Sequence, residues 1–410
     1  MKKLQEKYAS VILNVCLKVK KGQPLFISAN SERLDFVRII ADKALEIGVK
    51  DIYFDITDSH LKHSILKELT LDELKNHQYF NKQKWNEYAE KGAAFVMLAS
   101  ETPGLMKDID SKKLSDITMY GFDTRKRFDE LRNQTMVPWC IAAVPTEKWA
   151  EEVFPNSKTP LEDLWHKILE VCSVDKENPE EIWNQKTSLL RKRAEKLTAC
   201  HFKTLRYHNS LGTDFTINLP EKAIWESGFE RLATGVDVLV NYPTEEVFTS
   251  PDCTSANGIV YAAKPLSYQD NMIRNFWIRF KDGKAIECHA EEGEETLKNI
   301  ISSCENSNML GEVALVPYDS SISNSKIIFY ETLFDENAAC HLALGDSFPE
   351  CLENGKDMPK KELFEKYHLN DCTNHVDFMI GNKDMNITGT TYNGEEIKIF
   401  ENGNFTERFN

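Results

Sequence analysis

The sequence predicts two domains of different class, an α/β domain with a mostly parallel sheet in residues 1–185 and a β-rich α+β domain in residues 186–410. Short apolar runs alternate with helical stretches in the first part. In the second part, short segments of alternating polar and apolar residues are separated by glycine-containing turns. The length of 410 residues suits two or three domains, and 41% hydrophobic residues are enough to build large cores.

The first part shows strand and helix patterns in alternation. A helix is predicted over residues 31–47, with Ser31 as its N-cap and Gly48 at its end, because the apolar residues recur at helical spacing. The strand-to-helix junction at 28–31 lacks the glycines of a nucleotide-binding loop, so we interpret this Rossmann-like domain as a scaffold and disfavour nucleotide binding. The predicted strands are 25–28, 51–56, 93–99 and 137–144.

The second part is predicted to start with a helix over residues 187–200 and to continue mainly in strands. Two glycine-containing turns, at 281–284 and 392–395, are typical of β-hairpins. The predicted strands are 202–207, 214–218, 275–280, 310–317, 326–330 and 375–381.

Composition argues against several classes of function. Fifty lysines and arginines stand against 65 aspartates and glutamates, and the net charge of −15 disfavours a nucleic-acid or anionic membrane partner. The ten cysteines are scattered without CxxC pairs, and no segment approaches 18 consecutive apolar residues. We therefore expect a cytoplasmic location, no nucleic-acid partner and no membrane association.

Candidate chemical groups are concentrated in the second part. The acids Glu245 and Glu246 are adjacent, and Thr244 before them offers the alternative interpretation of a capped helix start. Glu312 interrupts an apolar strand, where an unpaired charge is costly, so positive charge is expected beside it.

Two further motifs add histidines. Glu336 and His341 share one apolar segment, although a single histidine there is more often a core residue. His375 and Asp377 are two apart on a predicted strand and therefore project from the same face. Four carboxylates and two imidazoles suit a pair of divalent ions with open coordination positions. The absence of paired cysteines disfavours a structural zinc site, and a nucleophilic-cysteine peptidase has no local signature here.

These motifs resemble those of the metal-dependent aminopeptidases of the aminopeptidase T type. The resemblance covers nearly the whole chain and is carried by four ordered runs, NYPTEEVF at 241–248, LGEVALV at 310–316, TLFDENAACHLALG at 332–345 and HVDFMIG at 375–381. It implies an α/β domain followed by a catalytic metal-binding domain, two divalent ions (zinc or cobalt most often), and homodimers that enclose the active sites. The implied activity is release of N-terminal residues from short peptides.

The resemblance also implies a set of site residues. We expect Glu312 to bridge the two ions, and we assign Glu245 as the acceptor of the proton from the attacking water. One departure stands out, because the tyrosine that family members usually carry seven residues beyond the histidine of AACH is Phe348 here, which has no hydroxyl to donate. A catalytically weakened or non-enzymatic, metal-containing peptide-binding protein is therefore the alternative function. The implied metal ligands are Glu246, Glu312, Glu336, His341, His375 and Asp377.

Overall fold

A computed structural model describes residues 1–100, 102, 104–268 and 271–410. Its internal contacts divide the chain into two units. The first comprises residues 1–185 and 229–243, and the second comprises residues 186–228 and 244–410. Residues 229–243 thus contact the first unit although they lie beyond residue 185 in the sequence. The boundaries 1–185 and 186–410 stay a prediction, because these contacts do not show which segments fold independently.

The first unit is built around a parallel sheet, as the sequence predicts. Its first four strands pair in the order β4-β3-β1-β2, and a strand that returns later in the chain, Asn241–Tyr242, pairs in parallel with the free edge of β4. The apolar runs that form the first and third strands become the buried interior of this sheet, whereas the second strand is only partly buried. These strands are β1 (Leu25–Asn30), β2 (Ile52–Thr57), β3 (Ala94–Ala99) and β4 (Trp139–Ala143).

Helices precede β1, fill the connections between these strands and follow β4, and the last of them runs past residue 185 into the second unit. The helix α4 begins with a capping box in which Thr70 and Glu73 bond each other's backbone N–H groups, which fixes its start in the sequence. The last helix of this series, α9, begins eight residues before the predicted start at 187, with a proline in the first turn and two acids behind it. The helices are α1 (Lys2–Val11), α2 (Leu34–Ile47), α3 (Ser59–Glu68), α4 (Leu71–Glu90), α5 (Ser111–Thr124), α6 (Lys126–Asn133), α7 (Glu147–Val153), α8 (Pro160–Val171) and α9 (Pro179–Ala199).

The prediction that Ser31 caps its helix is wrong. A 3₁₀ turn, Ser31–Arg33, precedes α2, and Asn30 provides the side chain that accepts a hydrogen bond from the backbone N–H of Glu32. The hydroxyl of Ser31 instead donates to Asp58 Oδ2 at 2.8 Å. The Ser31 hydroxyl therefore bonds the carboxylate of Asp58, at the junction between β2 and α3, and does not cap its own helix.

Closely packed aromatic side chains form much of the core on one face of this sheet. The ring of Phe26 lies 4.7 Å from that of Trp85 and 4.9 Å from that of Phe95, and Phe95 also contacts Phe128. All four side chains are buried. These large rings pack β1 and β3 against α4 and α6.

The second unit is mainly antiparallel, which confirms the predicted β-rich α+β class. Its hairpin turns at 281–284 and 392–395 are confirmed, since each joins two paired strands. The remaining strands of the chain are β5 (Phe202–His208), β6 (Asp214–Asn218), β7 (Glu226–Ser227), β8 (Phe229–Arg231), β9 (Asp237–Leu239), β10 (Asn241–Tyr242), β11 (Val247–Thr249), β12 (Asn257–Tyr261), β13 (Leu266–Tyr268), β14 (Asn271–Lys281), β15 (Lys284–Glu292), β16 (Leu310–Leu315), β17 (His341–Gly345), β18 (His375–Met379), β19 (Asn386–Thr391), β20 (Glu396–Glu401) and β21 (Asn404–Phe405).

Two antiparallel sheets organise the strands of the second unit. The larger has the order β13-β14-β12-β6-β5-β19-β20-β21, with β15 beside β14. Within the second unit, the other sheet has the order β18-β17-β16-β11-β7. Strands β16 and β17 are buried along their whole length, so polar side chains on them face the protein interior. The helices of this unit after α9 are α10 (Glu294–Ile301), α11 (Ser321–Ser325), α12 (Thr332–Asp335) and α13 (Lys360–Tyr367).

Two local interpretations of the second part are wrong. Residues 326–330 do not form a strand, because Lys326 and Tyr330 both adopt the left-handed backbone conformation (φ 56° and 57°) and so interrupt extended geometry. The alternative in which Thr244 caps a helix also fails, since residues 247–249 form β11 and pair with both β7 and β16.

The described residues contain no helix that is both long and apolar enough to cross a membrane.

Candidate metal centre

Three neighbouring strands of the second unit bring most of the candidate residues together. In the antiparallel register, Glu312 on β16 and Asp377 on β18 both lie opposite Ala343 of the central strand β17. Residues that are opposite each other in a sheet project from the same face, so the two carboxylates point to the same side. His341, at the start of β17, lies opposite Ala314 and Met379.

Glu312, His375 and Asp377 form one compact group, with one ligand atom of each residue within 4.8 Å of the others. His375 Nε2 lies 3.1 Å from Glu312 Oε2 and 3.2 Å from Asp377 Oδ1. The prediction that His375 and Asp377 share one strand face is confirmed by this contact. His375 is the most open of the three, with 26% of its side chain exposed, against 6% for Glu312.

A second imidazole–carboxylate pair is more deeply buried. His341 Nε2 lies 3.5 Å from Glu246 Oε2, with 1% and 8% of the two side chains exposed. Glu246 immediately precedes β11, which pairs with β16, and this pairing brings the EE motif beside the strand that carries Glu312. Burial acts to lower the pKa of His341, but the surrounding carboxylates, Glu312 foremost, outweigh it and raise that pKa. The charge of Glu312 therefore acts on this pair as well as on His375.

Glu336 lies in the 3₁₀ turn Glu336–Ala338, just before β17. Burial, followed by the negative charges of Glu246, Asp377 and Glu312, raises the pKa of its carboxyl group well above the ordinary value. Asn337 is fully buried and donates from Nδ2 to Glu336 Oε1 (3.4 Å), while its Oδ1 accepts from the backbone N–H of Glu245 (2.7 Å). This amide therefore ties the turn that carries Glu336 to the segment that carries Glu246.

Both histidines are held in one tautomer by backbone carbonyls. His375 Nδ1 lies 2.9 Å from the carbonyl oxygen of Asp346, and His341 Nδ1 lies 3.3 Å from that of Ala339. A carbonyl oxygen only accepts, so each Nδ1 must carry the hydrogen. Each Nε2 is then directed at carboxylate oxygens, as metal-ligating imidazoles are usually oriented by a partner on the other ring nitrogen.

Two glycines make this orientation possible. A Cβ atom on Gly311 would lie 2.0 Å from the carbonyl oxygen of Asp346, and one on Gly345 would lie 2.0 Å from that of Asn374. Gly345 also has a φ of 106°, which side chains rarely tolerate. The ladder between β16 and β17 shifts register between Leu310 and Glu312. The glycines thus let the 345–346 and 374–375 backbones approach β16 closely enough for the Asp346 carbonyl to hold His375.

Burial and mutual repulsion between carboxylates shift the pKa values of the cluster. Burial raises the pKa of Glu246 to about 7, although His341 opposes this. Burial alone would lower the pKa of His375, but Asp377 and Glu312 outweigh it and raise that pKa well above the ordinary value. Burial would likewise raise the pKa of Asp377, but His375 and His341 lower it to about 2. Without another cation, the cluster therefore retains protons at neutral pH.

These residues fit divalent cations. Each histidine Nε2 needs a proton or a cation in front of it, because its Nδ1–H is already used. Asp377 Oδ1 is buried, and its ion-pair partner within the described part of the chain is His375 Nε2, at 3.2 Å. Within the described residues, Glu246 pairs with His341, whereas Glu312 and Asp377 both pair with His375. With Glu336 nearby, four carboxylates therefore face two imidazoles, which leaves an excess of negative charge. Buried nitrogen and oxygen ligands without thiolates are typical of open, catalytic metal sites.

Glu245 and Phe348, which the sequence also singles out, are not members of the compact group of Glu312, His375 and Asp377. Glu245 Oε1 accepts from Lys186 Nζ at 2.9 Å and from the backbone N–H of Ser321 at 3.3 Å. Phe348 packs its ring 5.0 Å from that of His375 and 5.2 Å from that of Phe248. The Phe348 ring, which has no hydroxyl to donate, is therefore in contact with a cluster residue.

Sequence reasoning missed two positioning groups. Asn337 lies inside a motif that the sequence singles out, and a buried amide in an apolar segment is a detectable signal because it needs hydrogen-bond partners. Asp346 contributes its backbone carbonyl to His375. Since every residue offers a carbonyl, nothing in the sequence identifies this one.

Comparison with known proteins agrees with this geometry. Residues 1–405 match the family model described as thermophilic metalloprotease (M29). The chain is 37% identical over 400 residues to aminopeptidase AmpS of Bacillus subtilis strain 168, covering 97% of each chain. It is 36% identical over 402 residues to aminopeptidase 2 of Geobacillus stearothermophilus, covering 98% of this chain and 97% of the relative. The solved structure of wild-type AmpT from Thermus thermophilus superposes with a TM-score of 0.90 at 30% identity, covering 99% of both chains.

Proposed function

The chain belongs to the thermophilic metalloprotease family M29, and from this premise we propose that it is a metal-dependent aminopeptidase that releases N-terminal residues from short peptides. The observation that carries the proposal is the convergence of Glu312, His375 and Asp377, with ligand atoms within 4.8 Å of one another. The names of the relatives, aminopeptidases AmpS and 2, support the same substrate class.

We propose that two divalent ions bind, zinc or cobalt being the expected metals. Glu312 is the shared ligand in this proposal, since it contacts His375 directly and is the leading carboxylate influence on His341. Ions held here supply Lewis-acid polarisation of the peptide carbonyl and lower the pKa of a water molecule at the site. The proposed ligands are Glu246, Glu312, Glu336, His341, His375 and Asp377.

Glu245 remains our proposed proton acceptor. Lys186 and the backbone N–H of Ser321 hold its Oε1, which fixes the carboxylate and leaves Oε2 to take the proton of the attacking water. Its backbone N–H is fixed by Asn337, so the residue is positioned from both ends.

The ions would also recognise the amine of a substrate. Two divalent ions balance the charge of the four carboxylates that would hold them, so a free α-amine would bind an ion through its lone pair and not as a cation attracted by excess acid. An acetylated amine or an internal amide nitrogen offers no comparable lone pair. This contact supports an aminopeptidase and not an endopeptidase.

We expect N-acetylation of a dipeptide or tripeptide substrate to lower kcat/KM by at least about 30-fold, because losing one partner of a desolvated charge contact costs about 2 to 5 kcal/mol. The measurement is metal-dependent hydrolysis of matched free and acetylated peptides. A peptide amidated at its C-terminus is the control, and it should be cleaved at nearly the rate of the free peptide. Equal cleavage of acetylated and free peptides, or internal cuts in a long peptide, would refute the aminopeptidase proposal.

The alternative function is a catalytically weakened or non-enzymatic metal-containing peptide-binding protein. One observation favours it, namely that Phe348 places a ring without a hydroxyl against His375. Losing one preorganised donor to a developing oxyanion typically costs about 10²–10³ in turnover, whereas metal ions at the site still polarise the carbonyl. Slow, metal-dependent hydrolysis therefore fits the site better than a complete loss of activity.

Phe348→Tyr is expected to raise kcat by about 10-fold or more while changing KM less, because a new hydroxyl would act mainly on charge that develops in the transition state. Steady-state kinetics on an unblocked dipeptide measure both constants. Phe248→Tyr is the matched control, because it adds a hydroxyl to a second phenylalanine ring, which packs against Phe348 at 5.2 Å. A folded, metal-loaded Phe348→Tyr variant that is no faster would remove this residue as a cause of weak catalysis.

We also propose a homodimer and a cytoplasmic location. The homodimer is proposed from the family resemblance, which implies that a partner subunit encloses the active site. Such an enclosure would limit the substrates to short peptides. The proposed cytoplasmic location rests on the cysteines, which are scattered in the sequence without CxxC pairs. None of the ten forms a disulfide in the structure.

A further inference from the structure

Two cysteines outside the proposed metal centre lie in direct contact. Cys304 Sγ is 3.1 Å from Cys372 Sγ, although the two residues are 68 positions apart in the chain. Both belong to the second unit. Neither thiol has a role in the proposed aminopeptidase reaction.

Hydrogen bonds hold the two segments side by side around this contact. Asn306 Nδ2 donates to the carbonyl oxygen of Asp371 (3.2 Å), and Asn374 Nδ2 donates to Ser303 Oγ (3.2 Å). Each cysteine is therefore flanked by a hydrogen bond between the same two segments. A disulfide has an S–S bond of about 2.05 Å, so the sulfurs need to approach by only about 1 Å.

The two thiols differ in a way that suits sequential reaction. Cys304 is partly exposed, whereas Cys372 is buried. Burial acts to raise the pKa of Cys304, but hydrogen bonds from Thr373, Cys372 and Ser303 outweigh it and lower the pKa below the ordinary value. Burial raises the pKa of Cys372 to about 11. Cys304 is thus the accessible thiol that ionises first, and Cys372 is positioned to attack it afterwards.

We propose that Cys304 and Cys372 form a redox-active dithiol site, which low-molecular-weight disulfides oxidise to an intrachain disulfide. The Cys304 thiolate attacks one sulfur of the small disulfide, forms a mixed disulfide and releases one small thiolate. Cys372 then loses its proton to solvent and attacks Cys304 Sγ, which releases the second small thiolate. Two protein thiols are oxidised, and one small disulfide is reduced to two thiols.

The modification would occur close to the metal-centre strands. Cys372 donates its backbone N–H to Asp346 Oδ1 (3.3 Å), and the carbonyl of the same Asp346 holds His375 Nδ1. The disulfide would therefore join the segment after α10 to the segment that leads into β18. The proposal concerns the thiols alone and does not depend on peptidase activity.

The test is incubation of the full-length, folded protein with oxidised glutathione, followed by alkylation of free thiols and peptide mapping by mass spectrometry. The expected product is a Cys304–Cys372 linked peptide, with two equivalents of reduced glutathione released per chain. Cys372→Ser should stop at glutathione attached to Cys304, whereas Cys304→Ser should leave Cys372 unmodified. Cys200→Ser is the matched control, because Cys200 is also a partly exposed thiol, and this variant should form the link normally.

Folding is checked separately, by far-UV circular dichroism of each variant. The link should form at least 10-fold faster in the folded protein than in urea, because the native contact replaces a random encounter between distant residues. A wild-type protein that carries only mixed disulfides, or that forms the link no faster than the unfolded chain, would overturn the proposal.

Discussion

Glu312→Gln is expected to remove most of the bound divalent metal and to lower turnover by more than about 100-fold. Loss of an outer-shell partner alone typically costs about 10- to 100-fold in metal affinity or activity, and Glu312 is proposed as a direct, shared ligand. The substitution keeps the shape of the side chain but removes its charge from a buried position beside His375. Metal content by atomic emission and kcat on an unblocked dipeptide should therefore fall together.

The control for this prediction is another buried carboxylate in the same unit. Asp335 is 8% exposed, and its Oδ1 accepts the backbone N–H of Phe329 at 2.8 Å, a bond that an amide oxygen can also accept. Asp335→Asn should retain both ions, which would show that losing buried negative charge is not enough to empty the site. A Glu312→Gln protein with full metal content and normal turnover would exclude Glu312 as the shared ligand.

The parts of the fold that could be predicted are those with a strong local pattern. Strands β1, β3 and β16 are largely apolar, with Glu312 as the one charged residue among them, and their burial is nearly complete in the structure. The alternation at 375–377 also predicts correctly that the imidazole and the carboxylate share a face. In each case the pattern of side chains along a few residues determines the local structure.

The remaining features depend on partners that are distant in sequence. The Ser31 hydroxyl bonds Asp58 instead of its own helix, and no local pattern predicts that competition. Glu246 and Glu336 lie on short connecting segments whose positions are fixed by Asn337. The sequence identifies these acids through motifs, but the hydrogen bonds that orient them appear only once the strands have paired.

Without metal, the stability of the folded protein is expected to decrease as pH rises from about 6 to about 8. Glu246 has its pKa raised to about 7 by burial, and the pKa values of Glu336, His341 and His375 are raised as well. The folded state therefore binds more protons than the unfolded state in this range, so the free energy of unfolding falls with rising pH. Asp377, with a pKa lowered to about 2, and Asp335, with a pKa raised to about 6, act mainly below this window.

With metal bound, the dependence should have the opposite sign. Divalent ions require deprotonated ligands, so their affinity, and with it the stabilisation of the folded state, increases with pH. Urea unfolding of chelator-treated and metal-saturated protein at about pH 6, 7 and 8 should therefore give free energies of unfolding with opposite slopes. A pKa that differs by one between the folded and unfolded states corresponds to about 1.4 kcal/mol, which such measurements resolve.

Two glutamate substitutions distinguish the contribution of the buried cluster to this pH dependence from that of other titrating groups. Glu246→Gln should flatten the metal-free slope, because the amide removes one titrating group. Glu294→Gln, at an acid whose pKa is lowered to about 2 by Lys298 and its other hydrogen-bond donors, should leave that slope unchanged. A metal-free protein that becomes more stable between pH 6 and 8 would show that the buried cluster does not retain protons, and the charge argument for metal binding would then fail.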